Sequence, residues 1–376
     1  MKPRLLSLDI LRGLTVACMI LVNNGYGASF APLGHSKWNG MTPCDLVFPF
    51  FLFMVGASIY ISMSRHAGEP GMVRKILRRT LLMFVIGVAL HAWDMLISGE
   101  AAQIPGHLRI WGVLQRIALS YCLASLFFNA FKGRYLWHAI ITLLIIYGII
   151  LIVGNGYSEV SDENWLARVD KALFGNHLYA KCLDGRSPVD PEGLVGVIAG
   201  TAHALLGVVC GRAIMTGRDL GEKVRSLLII AACIGLVGYL LSFAFPLNKR
   251  IWSPSYTLVT CSMAASLLAL LTHWVDSSPA KEDRGGLSSP FKGDRGGLFS
   301  PFQWFGMNAL GIYVISEMIP SVFKVTGISD AIYSLWSTLF CWTIPEVASL
   351  FYALTYVALM GLLAWWLFKK KIYIKI

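Results

Sequence analysis

The stretch HSKWNGMTPCDLVFPFFLFMVGASIYI, residues 35–61, passes directly from a polar segment into a long apolar one. Residues 46–61 carry no charge, and residues 13–22, GLTVACMILV, form a second uncharged apolar run on the other side. Such runs are typical of helices that cross a bilayer, which need about 20 predominantly apolar residues. The sequence therefore predicts two membrane helices joined by a polar shelf, residues 23–45.

The composition of the whole chain also indicates a membrane protein. Hydrophobic residues make up 56% of the 376 residues, charged residues only 14%, and the mean hydropathy is +0.62. Soluble globular domains carry about 25% charged residues, so the composition excludes an ordinary soluble protein. The net charge of +11 fits cytoplasmic loops rich in Lys and Arg, and we predict no nucleic-acid partner.

Apolar runs of sufficient length recur along the chain and predict an all-α fold. We expect one polytopic membrane helix bundle over residues 1–376, without a sizeable soluble domain. Residues 329–345 are apolar but short, and we predict an interfacial or re-entrant segment there. The ten predicted transmembrane helices lie at residues 5–24, 44–64, 76–97, 108–131, 135–154, 193–214, 225–246, 254–275, 302–323 and 348–369.

The distribution of Lys and Arg sets the predicted orientation. With the N-terminus inside, cytoplasmic segments collect 21 of the 32 Lys and Arg residues, outer segments hold nine, and two lie within spans. Because cytoplasmic loops are enriched in these residues, we predict cytoplasmic N- and C-termini and an outward-facing shelf. No N-x-S/T sequon occurs, which favours a bacterial inner membrane over a glycosylated lumen.

Two long loops separate the predicted spans. Residues 155–192 form an outer loop that is long enough to fold over the shelf. Residues 276–301 contain a near-duplicate, DRGGLSSPFK from 283 and DRGGLFSPFQ from 294. Their content of Gly, Ser, Pro and charge predicts a flexible cytoplasmic linker.

The shelf carries residues suited to proton transfer. A histidine exchanges protons near neutral pH, so His35 can deprotonate an amine or hydroxyl or act as a nucleophile. Asp45 can hold the far imidazole nitrogen and stabilise an imidazolium. Simpler interpretations stay open: His35 can be a loop histidine with no functional role, and Asp45 can be a carboxylate that caps a helix. The other candidates on the shelf are Asn23, Asn24, Trp38 and Asn39.

Ionisable groups inside predicted spans are costly in a bilayer, and they are usually paired and often functional. Asp9 and Arg12 are three residues apart and can pair on one helix face. Gln115 and Arg116 fall about a third of the way into the fourth span. A guanidinium there needs an anion, such as Asp9, Asp94 or a phosphate of a ligand. Further candidates for ligand binding or for contacts between helices are Lys249, Trp252, Tyr256 and Asn308.

Metal ligation is not predicted. The eight cysteines include no CxxC pair and no Cys/His ligand spacing, and most of them fall within apolar runs. In such runs a cysteine usually serves as a small hydrophobic residue.

Seven short segments, spread over essentially the whole chain, carry a resemblance to a known family. They are RLLSLDILRG (4–13), HSKWNGMTPCDLVFP (35–49), VLQR (113–116), DPEGLVG (190–196), LNKRIWSPSY (247–256), GMNAL (306–310) and the KKKI of the tail. Together they resemble the heparan-alpha-glucosaminide N-acetyltransferase family. Its members are membrane enzymes that acetylate a terminal glucosamine with acetyl-CoA from the opposite side of the membrane.

The resemblance implies a transmembrane acetyltransferase, with cytoplasmic acetyl-CoA as donor and an amino sugar or glycan as the outer acceptor. In that family the histidine matching His35 is catalytic and an asparagine shortly before it assists, a role for which Asn23 and Asn24 are both candidates. We also expect contact with membrane lipid, and we leave a homodimer open.

Two other functions stay open at this point. A transporter or flippase for a sugar or sugar-lipid would use the polar groups inside the spans to bind cargo, although such proteins often show internal repeats of their spans. An O-acetyltransferase for a surface polysaccharide would keep the chemistry and change the acceptor.

The predicted orientation can be checked by cysteine labelling. In a variant that lacks Cys44, Cys182 and Cys341, a cysteine replacing Ser36 should react with an impermeant maleimide on intact cells. A cysteine replacing Ser289 should react only after permeabilisation. Labelling of both positions from one side would show that the number of spans between them is wrong.

Overall fold

The fold is entirely helical in the part of the chain that the structure describes. The computed structural model describes residues 5–276 and 299–374, and no β-strand occurs in these two ranges. Gly40 and Asn248 form an isolated β-bridge. The predicted all-α fold is therefore confirmed. Residues 277–298, which include the first copy of the predicted linker duplication and half of the second, lie outside the described residues.

The described residues contain fifteen α-helices, which we number in chain order. They are α1 (Leu6–Asn23), α2 (Val47–Met63), α3 (Met72–Ile97), α4 (Ile104–His107), α5 (Val113–Phe131), α6 (Leu136–Val153), α7 (Trp165–Phe174), α8 (Ala180–Leu183), α9 (Val197–Thr216), α10 (Leu220–Leu241), α11 (Pro254–Val275), α12 (Ser300–Met307), α13 (Ala309–Val325), α14 (Ile328–Leu339) and α15 (Pro345–Lys369).

The number of spans agrees with the prediction. Nine helices in residues 5–276 and 299–374 are long and apolar enough to cross a membrane, and α12 with α13 makes a tenth if the bent pair is one span. Because a bilayer requires about 20 apolar residues per helix, this set defines a polytopic membrane bundle. The surface is also typical of a membrane protein, since many large apolar side chains of α3, α6 and α10 are exposed.

The ninth predicted span, residues 302–323, is not one continuous helix. The chain bends by 86° between α12 and α13, at Asn308, whose φ of −124° and ψ of 30° leave the helical region. Its side chain bonds the C-terminal tail, donating to Ile372 O at 3.0 Å and accepting from Ile374 N at 2.9 Å. Asparagine side chains that bond backbone groups in this way compete with the helix.

The fourth predicted span begins five residues too early. Residues 108–112 are not helical, and α5 starts at Val113. The backbone before it is bonded elsewhere: Leu108 O lies 2.9 Å from His177 Nδ1, and Arg109 O lies 2.8 Å from His91 Nδ1. Gln115 and Arg116 therefore lie in the first turn of α5 and not a third of the way along a span.

Residues 328–339 form α14, a separate helix of 12 residues. At 1.5 Å per residue it is too short to cross a bilayer. It packs against α13 and α15, so the segment 329–345 is not a span, as predicted. Its position relative to the membrane surface stays a prediction.

Glycines allow the central helices to approach closely. A methyl group on Gly207 of α9 would overlap Phe53 O of α2, and one on Gly56 of α2 would overlap Ala204 O. Close backbone approach at small residues is the usual way for membrane helices to pack, because lipid supplies little hydrophobic driving force. The pair α2 and α9 thus forms the densely packed centre of the bundle.

We predict that Gly207→Ala destabilises the protein, although alanine is the better helix former by about 1 kcal/mol. The new methyl has no room against α2, and overpacking costs typically about 1–3 kcal/mol. Gly361→Ala is the matched control, since its methyl would make ordinary contact with Phe305. Thermal unfolding of the purified variants should show a lower midpoint for Gly207→Ala alone. Equal midpoints would contradict the tight crossing.

Candidate functional site

The centre of the candidate site is a histidine held by a buried carboxylate. His35 Nδ1 lies 2.9 Å from Asp45 Oδ1. The histidine side chain is 55% exposed, whereas the aspartate side chain is fully buried. A carboxylate acceptor at Nδ1 favours the tautomer with the proton on that nitrogen. This leaves Nε2, 3.9 Å from the Cys44 sulfur, as the nitrogen able to accept a proton.

Local sequence explains the position of Asp45. It is the third residue of the 3-10 helix Pro43–Leu46 and forms a capping box with Thr42, with Pro43 at the first position. Its Oδ2 accepts hydrogen bonds from Thr42 N at 3.0 Å and Ser36 N at 3.1 Å. The two interpretations offered by the sequence, helix cap and partner of His35, are therefore both realised by one carboxylate.

Lys249 completes a cluster of three charged or ionisable groups. Its Nζ lies 3.3 Å from Asp45 Oδ1 and 3.0 Å from His35 Nδ1. Because both the ammonium and a protonated Nδ1 are donors, the shared acceptor of the cluster is the Asp45 carboxylate. The contact depends on the segment 247–253, which is joined to the shelf by Gly40 N donating to Leu247 O at 2.7 Å. Sequence reasoning offered Lys249 as a ligand contact, and the structure places its ammonium on the catalytic candidates instead.

Two shelf residues also bond neighbouring segments. Asn39 Oδ1 accepts from Asn248 Nδ2 at 3.2 Å. Trp38 is buried, and its Nε1 donates to Tyr157 O in the outer loop at 3.2 Å. Both side chains thus hold the shelf in place, and Trp38 does not present its ring as an open surface for a sugar.

Trp252 and Tyr256 belong to the buried core beneath the cluster. Tyr256 donates its hydroxyl to Asp45 O at 2.5 Å. Trp252 is 0% exposed, and its ring packs against Phe48, whose centroid is 4.8 Å away. Of the two interpretations that the sequence offers for Trp252, ligand binding and contact between helices, its burial favours the second.

Arg116 does not pair with the carboxylates considered for it. Its guanidinium lies 4.5 Å from the Trp252 ring centroid and donates to Pro191 O. Asp9 pairs with Arg12 at 3.1 Å, and Asp94 accepts from a serine of α13. Because α5 starts late, Arg116 reaches the loop before α9 and holds it over the bundle.

A cluster of charges that sequence reasoning missed anchors the outer loop. Arg109 contacts Asp190 and Glu192, each at 2.7 Å, and lies over the ring of Tyr179. Burial disfavours the charged form of Glu192, but the guanidinium outweighs it and holds the pKa of Glu192 below its ordinary range. The sequence signal for this cluster was the DPEG motif, residues 190–193, in which Asp190 and Glu192 flank a proline.

Asn23 and Asn24 lie at the end of α1, and their amide groups donate to residues other than His35. Asn23 Nδ2 donates to Glu317 Oε1 at 3.0 Å, and Asn24 Nδ2 donates to Ile20 O at 2.8 Å. Both line a cavity of about 260 Å³. The residues that share this cavity are Gly87, Leu90, His91, Asp94, Val113, Leu114, Gln115, Tyr313, Ser316, Glu317, Pro320 and Ser321.

A second cavity, also of about 260 Å³, lies at the level of Arg12. Arg12 donates to Ser58 Oγ at 2.9 Å and shares the lining with Arg79. The two cavities follow the same helices: α3 contributes Met83 to this cavity and Gly87 to the other. Helices α1, α5 and α13 also line both. They therefore lie one after the other along a single seam between helices.

Fold and site together define a class, an integral membrane protein whose helix bundle carries a carboxylate-held histidine at one end and a polar seam inside. Comparison with known proteins shows which family the chain is similar to. Residues 4–174 match the family model described as heparan-alpha-glucosaminide N-acetyltransferase, catalytic. The resemblance predicted from the sequence motifs is thereby confirmed.

Two relatives extend this similarity. The chain is 27% identical to the heparan-alpha-glucosaminide N-acetyltransferase of Mus musculus, over 99% of this chain and 60% of that protein. It is 27% identical to the protein of the same name from Homo sapiens, over 73% of this chain and 49% of that protein. The matched region thus spans between about half and three fifths of these relatives.

The outer loop should respond to pH through Asp170. Burial raises the pKa of Asp170 to about 7, while its Oδ1 accepts from Leu194 N at 3.0 Å. In the folded loop the Asp170 carboxyl stays protonated up to a pH of about 7, whereas in the unfolded chain it ionises near its ordinary pKa of 3.8. The free energy of unfolding of the loop therefore falls as the pH rises from about 4 to about 7. One pKa unit corresponds to about 1.4 kcal/mol.

We predict that Asp170→Asn removes this pH dependence, because the amide oxygen keeps the bond to Leu194 and cannot ionise. Hydrogen exchange of residues 165–196 at pH 5 and pH 8 measures the effect. Asp162→Asn, at an exposed position, is the control. The same acceleration at pH 8 in wild type and Asp170→Asn would contradict the assignment.

Proposed function

We propose that the protein is a transmembrane acetyltransferase that moves an acetyl group from cytoplasmic acetyl-CoA to an amino sugar on the outer side of a bacterial inner membrane. The observation that carries the proposal is the geometry of His35. A buried carboxylate orients its ring and leaves Nε2 available, and this arrangement is suited to a general base.

The seam of two cavities supports a route for the donor. Arg12 and Arg79 line the cavity at the end of the bundle that the charge distribution places in the cytoplasm. Guanidinium groups suit phosphates, so they can hold the diphosphate of CoA. The apolar lining beyond them, with Met83 and Ile117, suits a pantetheine arm that leads toward the outer end of the seam.

The chemistry requires one proton transfer and one acyl transfer. The neutral amine attacks the carbonyl carbon of the thioester, a C–N bond forms, and the C–S bond breaks with release of the CoA thiolate. In our proposal His35 Nε2 takes the proton that the amine loses. Asp45 stabilises the resulting imidazolium, and Lys249 balances the charge of Asp45.

The proposed acceptor is an amino sugar, and the name of both relatives, heparan-alpha-glucosaminide N-acetyltransferase, supports this choice. A hydroxyl acceptor would require the same groups, and a panel of glucosamine, other hexosamines and neutral sugars separates the two. Transfer of label from radiolabelled acetyl-CoA to these sugars in membranes that contain the protein tests the function directly.

We predict that His35→Ala lowers acetyl transfer by roughly 10² to 10⁴-fold, as expected for loss of a general base, while the protein stays folded. Asp45→Asn, which keeps a cap oxygen and loses the charge, should lower the rate as well. His66→Ala changes an exposed histidine paired with Glu69 and is the matched control. A well-folded His35→Ala variant with full activity would remove His35 from the mechanism.

A further inference from the structure

A cleft at the end of the bundle that the charge distribution places in the cytoplasm gathers basic side chains. It lies between the turn 132–135, which joins α5 to α6, and the adjoining ends of α9 and α10, and its volume is about 870 Å³. Lys132, Arg134 and Arg212 line this basic cleft, and its described lining includes no Asp or Glu. None of the three forms an ion pair with another described residue. The cleft therefore attracts an anion.

The donors around the basic cleft suit a phosphate group. Arg212 of α9 contacts the turn with one nitrogen, since its Nη1 lies 3.5 Å from Gly133 O. A guanidinium has five N–H donors, so most of them stay available to a ligand. Helix α6 starts at Leu136 without a side-chain cap, and the first N–H groups of a helix attract anions. The hydroxyl of Ser226 on α10 also lines the cleft.

An apolar groove continues from the basic cleft along the same two helices. Trp137 lines both spaces, and the groove, of about 520 Å³, runs between Ile145 and Ile152 of α6 and Val237 and Leu241 of α10. From Trp137 to Ile152 a helix rises about 22 Å, and half of the hydrocarbon core of a bilayer measures about 15 Å. The groove is therefore long enough for one acyl chain of a membrane lipid.

The basic cleft lies at the depth of lipid headgroups. Helices α5 and α6 are both long and apolar enough to span a membrane, so the short turn between them lies at the membrane surface. Tyr135 and Trp137 are 52% and 44% exposed, as is common for aromatic residues at this depth. Basic pockets between membrane helices on the cytoplasmic side are suited to anionic headgroups.

The two spaces together select the ligand. Free phosphate or a soluble nucleotide would leave the apolar groove empty, and an uncharged lipid would leave the three cations without a counter-ion. A zwitterionic headgroup would bring a further positive charge close to them. A phospholipid with a net negative headgroup satisfies both spaces.

We infer that the basic cleft and the apolar groove form a binding site for an anionic phospholipid of the phosphatidylglycerol type. Arg134 and Arg212 hold its phosphate, and one acyl chain lies along α6 and α10. The site shares no described lining residue with the two cavities of the seam, so the inference does not rest on the proposed function. A lipid bound there joins the turn between α5 and α6 to α9 and α10.

Native mass spectrometry of the purified protein in detergent tests the headgroup preference. Dioleoyl phosphatidylglycerol is compared with dioleoyl phosphatidylcholine, which has the same acyl chains and no net charge. We expect wild type to bind phosphatidylglycerol more tightly by about tenfold or more, and Arg134→Gln combined with Arg212→Gln to bring the two lipids within about twofold. Equal binding of the two lipids by wild type would overturn the inference.

The matched control is Arg74→Gln combined with Arg218→Gln. It removes the same charge from two exposed arginines outside the basic cleft, and it should keep the preference of wild type. Because all four arginines are exposed, neither double variant should change the thermal unfolding midpoint measured without lipid. An equal loss of preference in both double variants would show a nonspecific effect of charge and would also overturn the inference.

Soluble anions separate a lipid from other sources of phosphate. Inorganic phosphate and glycerol 3-phosphate, compared with sodium chloride at equal ionic strength, should not displace bound phosphatidylglycerol, because they gain nothing from the apolar groove. Displacement by either anion would show that the basic cleft takes soluble phosphates, and the lipid site would be wrong.

A substitution in the apolar groove tests the acyl chain. Ile145→Trp fills part of the groove and should weaken binding of phosphatidylglycerol by about fivefold or more, because acyl methylenes lose their apolar contacts. Leu81→Trp on α3 is the matched control, since Ile145 and Leu81 are 57% and 64% exposed and only Ile145 lines the groove. Unchanged binding in Ile145→Trp would contradict the proposed position of the lipid.

Discussion

The burial of the Asp45 carboxylate is the constraint on which the site depends. A carboxylate without exposed surface is costly unless its oxygens are bonded and its charge is balanced. Here the partners come from three parts of the chain: the shelf with His35 and Ser36, the 3-10 helix with Thr42, and the distant segment with Lys249. Satisfying one carboxylate therefore fixes the relative positions of all three, and the ring of His35 is oriented as a consequence.

The bilayer sets a second constraint, because each polar group inside the bundle needs a hydrogen-bond partner in the protein or a ligand to contact. The seam along α3, α5 and α13 concentrates such groups. Gly87 makes room for the Gln115 amide, and Asn308 interrupts the helix where Met307 and Ala309 line the second cavity. In our proposal the donor enters this space from the cytoplasmic end.

The outer loop shows how charged residues far apart in sequence support the site without touching it. Arg109 pairs with both acids of the DPEG motif, and Arg116 lies between Pro191 and the ring of Trp252. Trp252 in turn belongs to the segment 247–253, which carries Lys249. The loop, the start of α5 and the His35 cluster thus form one connected region, consistent with the loop contacting the shelf through Trp38.

The sequence by itself determined the fold class, the number of spans and the pairing of Asp9 with Arg12, because these follow from local composition and from spacing along one helix. It also brought His35 and Asp45 together, since they are ten residues apart on one short segment. Only the tertiary structure decided that Lys249 joins them, that Trp252 is buried, and that Arg116 bonds a loop carbonyl. The hydrogen bond between Asn23 and Glu317 was missed, although an ionisable residue in a predicted span was the signal. Contacts between distant segments depend on where helices begin and bend. Hydrogen bonds to side chains and to the outer loop set these boundaries, and hydrophobic periodicity does not reveal such bonds.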